Sequence, residues 1–188
     1  MKRRSILIYL VLLILGANVP AMAEKGERLK VGDTFPRFFT KRIDGSNFFL
    51  NDYVGERAKE DIQALLFSFC SSTCKPCKRE IPELEKIREK YAEQGLEVIL
   101  IDTGEDKRLA QQLIDELGTK LPVLVDRYAV VIELVGNPPL PHSVLLDSAG
   151  DVRYVHTGFP ENNTEDVIKE LEDAIVAVLG SAPGDADK

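Results

Sequence analysis

The chain has no tryptophan, only two histidines and only three cysteines among its 188 residues. The histidines, His142 and His156, lie far from the cysteines and are not paired at ligand spacing. A closed zinc site needs four ligands, so the cysteines here have no second Cys or His pair to build one with. Cys70, Cys74 and Cys77 fall within eight residues. They cannot staple distant parts of a fold, and an odd count leaves one thiol without an internal partner. A structural disulfide framework is therefore a poor reading, and a local chemical site is a better one. There is no internal repeat. With 44% hydrophobic and 29% charged residues, the composition argues against collagen, coiled coil and wholesale disorder, and it allows one sizeable core. Basic residues are in the minority, 24 against 31 acidic, for a net charge of −7. That disfavours nucleic acid and anionic membrane as partners and fits ordinary solubility.

The N-terminus has its own pattern. Lys2, Arg3 and Arg4 precede an almost unbroken apolar run from Ile6 to Leu15, and Ala21-Met22-Ala23 places small residues where a signal peptidase reads. Residues 1–23 thus have the anatomy of a secretory signal peptide, with cleavage expected after Ala23. The alternative is a retained membrane anchor, although the apolar run is short of the roughly 20 residues a span needs. No cysteine lies near the cleavage site to take a lipid. Removal leaves a net charge of about −10. Residues 24–34 read as a polar leader, 35–180 as a single domain, and 181–188, with Pro, Gly and Asp, as a disordered tail.

Inside the domain, Phe38-Phe39 and Phe48-Phe49-Leu50 flank Asp44-Gly45, the pattern of a β-hairpin. Ala64–Phe69 is a short apolar run readable as a buried strand. Ile81, Leu84, Ile87 and Tyr91 recur near helical spacing across 76–94, and Gly95 ends that run. Leu96–Ile101 is a second buried strand, 106–117 a helix stopped by Gly118, and 121–125 a short strand. A short helix is expected over 127–134, then a proline-dense bend at 138–141. Strands over 143–146 and 152–156 form a second hairpin. The final helix spans 164–179, with Thr164 as N-cap and Ile168, Leu171, Ile175 and Val178 as its apolar stripe. Alternating buried strands and helices imply an α/β fold, a central mixed sheet flanked by helices with an N-terminal β-hairpin extension.

Cys74 and Cys77 bracket Lys75-Pro76 at a strand-to-helix junction. At a helix N-terminus the unpaired N–H groups and the macrodipole favour an anion, so the Cys74 thiol pKa is expected to be lowered, with Lys75 adding positive charge. Pro76 loses no N–H there and has φ preset for a first turn. Cys77 lies about one turn along, near enough to close a small ring. These positions assign Cys74 as the attacking thiolate and Cys77 as the thiol that resolves the mixed disulfide.

The run FSFCSSTCKPCKREIPELEKI resembles the active-site segment of TlpA/ResA-type thioredoxins, the extracytoplasmic reductases that serve cytochrome c maturation. VGDTFPRFFTKRIDGSNFFLNDYVG is similar to that family's N-terminal hairpin, and LPVLVD with PPLPHSVLLDSAGDVRYVHTG to its later strands. The resemblance implies a thioredoxin fold and protein-disulfide exchange through a redox-active Cys74–Cys77 disulfide, without another cofactor. It implies a periplasmic or secreted location, disulfide-bearing protein substrates such as apocytochrome c or a copper-site protein, and a membrane thiol-disulfide electron donor. It makes Pro141 a cis-proline facing the dithiol, with Leu140 beside it pairing with substrate backbone. It also places an acidic residue, here Glu80, near the thiols as a proton shuttle that raises thiol pKa. A solvated first-turn glutamate is the alternative for Glu80.

The sequence also departs from that pattern. Relatives place Trp before the first cysteine, where Thr73 stands here. Cys70 reads as a small buried hydrophobe, or, with Cys74, as the CxxxC spacing of Sco-type copper proteins. In that alternative, a copper-binding or metallochaperone function, Cys70, Cys74 and His142 are the ligands, two thiolates and an imidazole suiting copper. His142 could equally contact the dithiol and modulate its protonation, while His156 reads as structural. Peroxide reduction needs a P-x-x-x-T-x-x-C context that residues 66–77 do not supply.

Overall fold

A computed structural model describes residues 28–104 and 106–180. The expected signal peptide, residues 24–27 of the leader and the C-terminal tail lie outside the described residues. The elements run β1 (Phe39–Arg42), β2 (Asn47–Phe49), a 3-10 turn at Leu50–Asp52, β3 (Ala64–Cys70), α1 (Lys75–Tyr91), β4 (Leu96–Asp102) and α2 (Lys107–Leu117). Then follow β5 (Val123–Val125), α3 (Val130–Leu134), β6 (His142–Asp147), β7 (Val152–Thr157) and α4 (Thr164–Gly180).

The seven strands form one sheet in the order β2-β1-β5-β4-β3-β6-β7. β3, β4 and β5 run parallel, while β1, β6 and β7 join antiparallel. Both faces of the central strand β3 are covered, and all seven of its residues are buried. That is why Ala64-Leu65-Leu66-Phe67 reads as a continuous apolar run rather than an alternation.

The two-residue period of the strands divides the core. Leu66 and Cys70 of β3 and Val98 and Leu100 of β4 pack with Cys77, Ile81, Leu84 and Ile87 of α1, Leu113 of α2 and Leu171 and Ile175 of α4. Leu65, Phe67 and Phe69 of β3 point the other way, onto Phe48, Leu50, Val131 and Ile132. The sheet therefore carries helices on both faces, with α3 the one α-helix on the second among the described residues.

Two boundaries differ from the sequence reading. The short helix begins at Val130, because Ala129 sits in the left-handed region at φ 56°. Thr164 is already helical, and its hydroxyl donates to the Pro160 carbonyl rather than capping the helix.

Candidate active site

β3 ends at Cys70, and the chain turns through Ser71–Thr73 into α1, the Cys74 N–H donating to the Ser71 carbonyl at 3.1 Å. Cys74 is the N-cap of α1, in extended conformation, and its sulfur accepts the Cys77 N–H at 3.2 Å. The sulfur thus takes the place of a capping oxygen, and negative charge on it would meet both that N–H and the helix N-terminus. Cys74 and Cys77 are joined in a disulfide. Cys77 is fully buried on the inward face of α1, while Cys74 is partly exposed. Only the first sulfur can be met by a partner from solvent.

Glu80 lies one turn beyond Cys77 on the same inward face and is 3% exposed. Its solvated reading is thereby corrected. Period-3.6 geometry turns the position toward the sheet, where two hydroxyls receive the carboxylate. Ser68 of β3 donates at 2.8 Å and Ser143 of β6 at 3.0 Å. The two serines are directly paired across the antiparallel β3–β6 ladder, so both hydroxyls rise from the same face. Burial pushes the Glu80 carboxyl up to about 7, the two serine hydrogen bonds opposing.

A second acid, not among the residues singled out from the sequence, lies at the strand ends. Asp102 closes β4 laterally opposite Cys70, on the same face, and is 1% exposed. One carboxylate oxygen accepts the Gly104 N–H at 3.2 Å, and the other is buried without a partner among the described residues. Burial raises its pKa to about 6. The alternation Leu96, Val98, Leu100, Asp102 along one strand face was the signal that could have placed it. Cys70, a free buried thiol, is driven far above the usual thiol range by burial first, then by the charges of Asp102 and Glu80.

The Leu140–Pro141 bond is cis. Leu140 is partly buried and packs against both halves of the core, and the Pro141 carbonyl accepts the Gly158 N–H at 2.8 Å. His142 opens β6 paired with Phe69, so its ring lies on the face opposite Cys70, 6.0 Å from the Phe69 ring. Its Nδ1 shares a 2.8 Å hydrogen bond with the Thr157 hydroxyl. Burial, with Arg28 and His156 nearby, lowers its pKa to about 4. The sheet therefore separates His142 from Cys70, and the Cys74 sulfur is taken up in the disulfide. The Cys70, Cys74, His142 copper set is not brought together. Among the described residues, no group of three His, Cys, Asp or Glu side chains is placed to hold a metal ion. His156 stacks on Tyr154 in β7 with ring centroids 6.1 Å apart.

An accessible sulfur at a helix N-cap, bonded to a buried one beside a buried carboxyl, is suited to thiol-disulfide exchange. The comparisons agree. Residues 31–155 match the AhpC/TSA family model. The thiol-disulfide oxidoreductase ResA of Geobacillus thermodenitrificans is 30% identical over 171 residues, covering 90% of this chain and 92% of the relative. The ResA of Halalkalibacterium halodurans is 33% identical over 132 residues, 69% and 73% of the two chains. Among solved structures, a putative thiol:disulfide interchange protein DsbE from Chlorobium tepidum superposes with a TM-score of 0.70 at 26% identity, covering 81% of this chain and 99% of its own. Sequence, fold and dithiol geometry converge: the chain belongs to the AhpC/TSA family with a thioredoxin-like fold, as a thiol-disulfide oxidoreductase of the ResA kind.

Proposed function

We propose that the chain works as a reductant of disulfides in exported proteins, in a role like that of cytochrome c maturation reductases. Cys74 attacks the substrate disulfide, and one substrate sulfur leaves as a thiol. Cys77 then attacks Cys74 in the mixed disulfide, closing the Cys74–Cys77 bond and releasing the second substrate sulfur. Glu80 takes the Cys77 proton as that thiol becomes a nucleophile. Leu140 and Pro141 form the edge against which the substrate lies. A membrane thiol-disulfide protein returns the two electrons, and the basic-apolar N-terminus directs the chain to the periplasm or an equivalent space. The redox-active disulfide is the whole cofactor in this reading.

The reducing direction is carried by one observation, the Glu80 carboxyl held dry by Ser68 and Ser143 a helical turn from Cys77. Strong oxidants of this type owe their potential to a stabilised reduced thiolate. A buried carboxylate does the opposite, since it repels a thiolate and favours the disulfide.

The deciding measurement is the equilibrium potential of the Cys74/Cys77 pair at pH 7 against glutathione or dithiothreitol. A value near or below about −250 mV, in the thioredoxin range, is expected. A value near about −120 mV would overturn the reducing direction. Cys77→Ser is expected to accumulate a mixed disulfide with a protein substrate, resolved on gels, and Cys74→Ser is not.

A further inference from the structure

The two strands of the N-terminal hairpin extend the sheet beyond the reach of the helices. Phe39 and Lys41 of β1 pair with Phe49 and Asn47 of β2, and Lys41 pairs with Val125 of β5. Paired residues share a face, and this is the face that α1, α2 and α4 cover farther along the sheet. Here it is bare. Phe39 is 73% exposed and stacks on Phe49, while Tyr128 is 78% and Val130 56% exposed. Four of the eight large apolar side chains exposed among the described residues thus belong to one locality. Scattered exposed apolar groups are ordinary, but a cluster marks a contact surface. Phe39, Tyr128 and Val130 line a groove of about 570 Å³.

The charge around the groove runs against that of the molecule. Among the described residues, the groove and the hollow adjoining it are lined by Lys41, Arg42, Lys107, Arg108 and Arg127 against two carboxylates, Asp106 and Asp126, in a chain of net charge −7. Asp106 is closed on Arg108 at 2.7 Å, and Asp126 is buried and accepts the Ile132 N–H at 2.8 Å. Arg42 is committed to Tyr53 and the Phe48 ring. Lys41, which donates to the neutral Asn47 side chain, Lys107, and Arg127, whose guanidinium lies 5.6 Å over the Tyr128 ring, form no ion pair among the described residues and keep their charge for a visitor. Asp44 feels Lys107 but is held by Ser46. The hollow reaches Thr103, whose N–H and hydroxyl both donate to the Cys70 carbonyl. The groove therefore leads to the strand end that carries the dithiol.

We propose that this groove docks an extended segment of the partner protein in which acidic residues flank an aromatic side chain. The aromatic enters against Phe39, Tyr128 and Val130, and the acids meet Lys41, Lys107 and Arg127. The concave shape and the acidic net charge disfavour a bilayer as occupant. This rests on the chain's exchange with protein partners, and it assigns where such a partner is held.

The probe is a cysteine-free synthetic decapeptide with one Phe between Asp and Glu residues, titrated into the full mature chain by fluorescence anisotropy. Binding should exceed that of the same peptide with Lys replacing the acids by about ten-fold or more, and should weaken with salt. Lys107→Glu with Arg127→Glu should lose about ten-fold, and Phe39→Ser about five-fold or more. Lys169→Glu, on α4 at the other edge of the sheet, should change nothing. Amide shifts should centre on Phe39, Lys41 and Tyr128. Equal binding of the acidic and lysine peptides, or shifts elsewhere, would overturn the assignment. So would self-association abolished by Phe39→Ser, or phosphatidylglycerol vesicle binding abolished by it, since each names another occupant. Because the peptide has no sulfur, its failure with disulfide exchange intact rejects the groove alone. Loss of exchange in the parent chain rejects the oxidoreductase reading instead.

Discussion

Glu80 and Asp102 hold their carboxyls in a dry cluster with ordinary acidity reversed, and this sets how the fold responds to pH. Each folded-state pKa is raised, from 4.5 to about 7 for Glu80 and from 3.8 to about 6 for Asp102. A raised carboxyl binds its proton more tightly folded than unfolded. The associated stability is therefore fully present below the unfolded pKa and lost as pH rises through the folded one. The joint contribution of these two carboxyls is expected to fall between about pH 4 and pH 7, while His142, lowered to about 4 by burial, contributes in the opposite sense over the same range. Asp102→Asn should remove the lower part of that decline and be more stable than the parent at pH 8, by on the order of 2 kcal/mol. Urea unfolding of parent and variant at pH 4, 6 and 8 reads the difference directly. An unchanged gap across that range would contradict it. Spacing alone put Glu80 a turn beyond Cys77, but its burial depends on Ser143, 63 residues away, which no local pattern reveals. The alternation along β4 places Asp102 on the buried face, but its significance comes from Cys70 on a neighbouring strand.

At the scale of elements, periodicity located the central strands and the long helices because each buries one continuous stripe or run. It failed where a backbone conformation rather than a pattern decides, as at Ala129, whose left-handed φ delays α3. The α1–β4 junction shows the opposite case, a stop signal that the sequence displays plainly. Gly95 has φ 94°, and a Cβ there would lie 2.9 Å from the Gln63 side chain and 3.0 Å from its backbone nitrogen. That nitrogen donates to the Gly95 carbonyl at 2.8 Å, so it cannot withdraw without losing the bond that aligns β3 with β4. Gly95→Ala combines a disfavoured φ with a close contact, and should cost about 1–3 kcal/mol in urea unfolding. Gly118, also left-handed at φ 63° but with open space around it, should lose less on the same substitution. Equal losses at the two sites would show that the Gln63 contact contributes nothing.

Across the whole molecule, redox state and folding are joined in one thermodynamic cycle. The Cys74–Cys77 disulfide can be reduced in the folded or the unfolded chain. The difference between those two potentials must equal the difference in stability between oxidised and reduced protein. In the folded protein Cys77 has no solvent exposure, and Glu80 is buried one helical turn beyond it on α1. A thiolate formed there is desolvated and repelled, whereas the disulfide carries no charge to penalise. In the unfolded chain neither penalty exists. The oxidised protein should therefore unfold at higher urea than the reduced one, with about 1.4 kcal/mol for every 30 mV by which folding makes the pair more reducing. Glu80→Gln should narrow that gap and shift the potential upward by the matching amount, since it removes the repelling charge and keeps the shape of the serine-bound group. The measurement is a pair of unfolding curves, with and without excess dithiothreitol, for parent and variant. A reduced form more stable than the oxidised one would mean that the helix N-terminus at Cys74 outweighs the buried acid, and the chain would then be an oxidant.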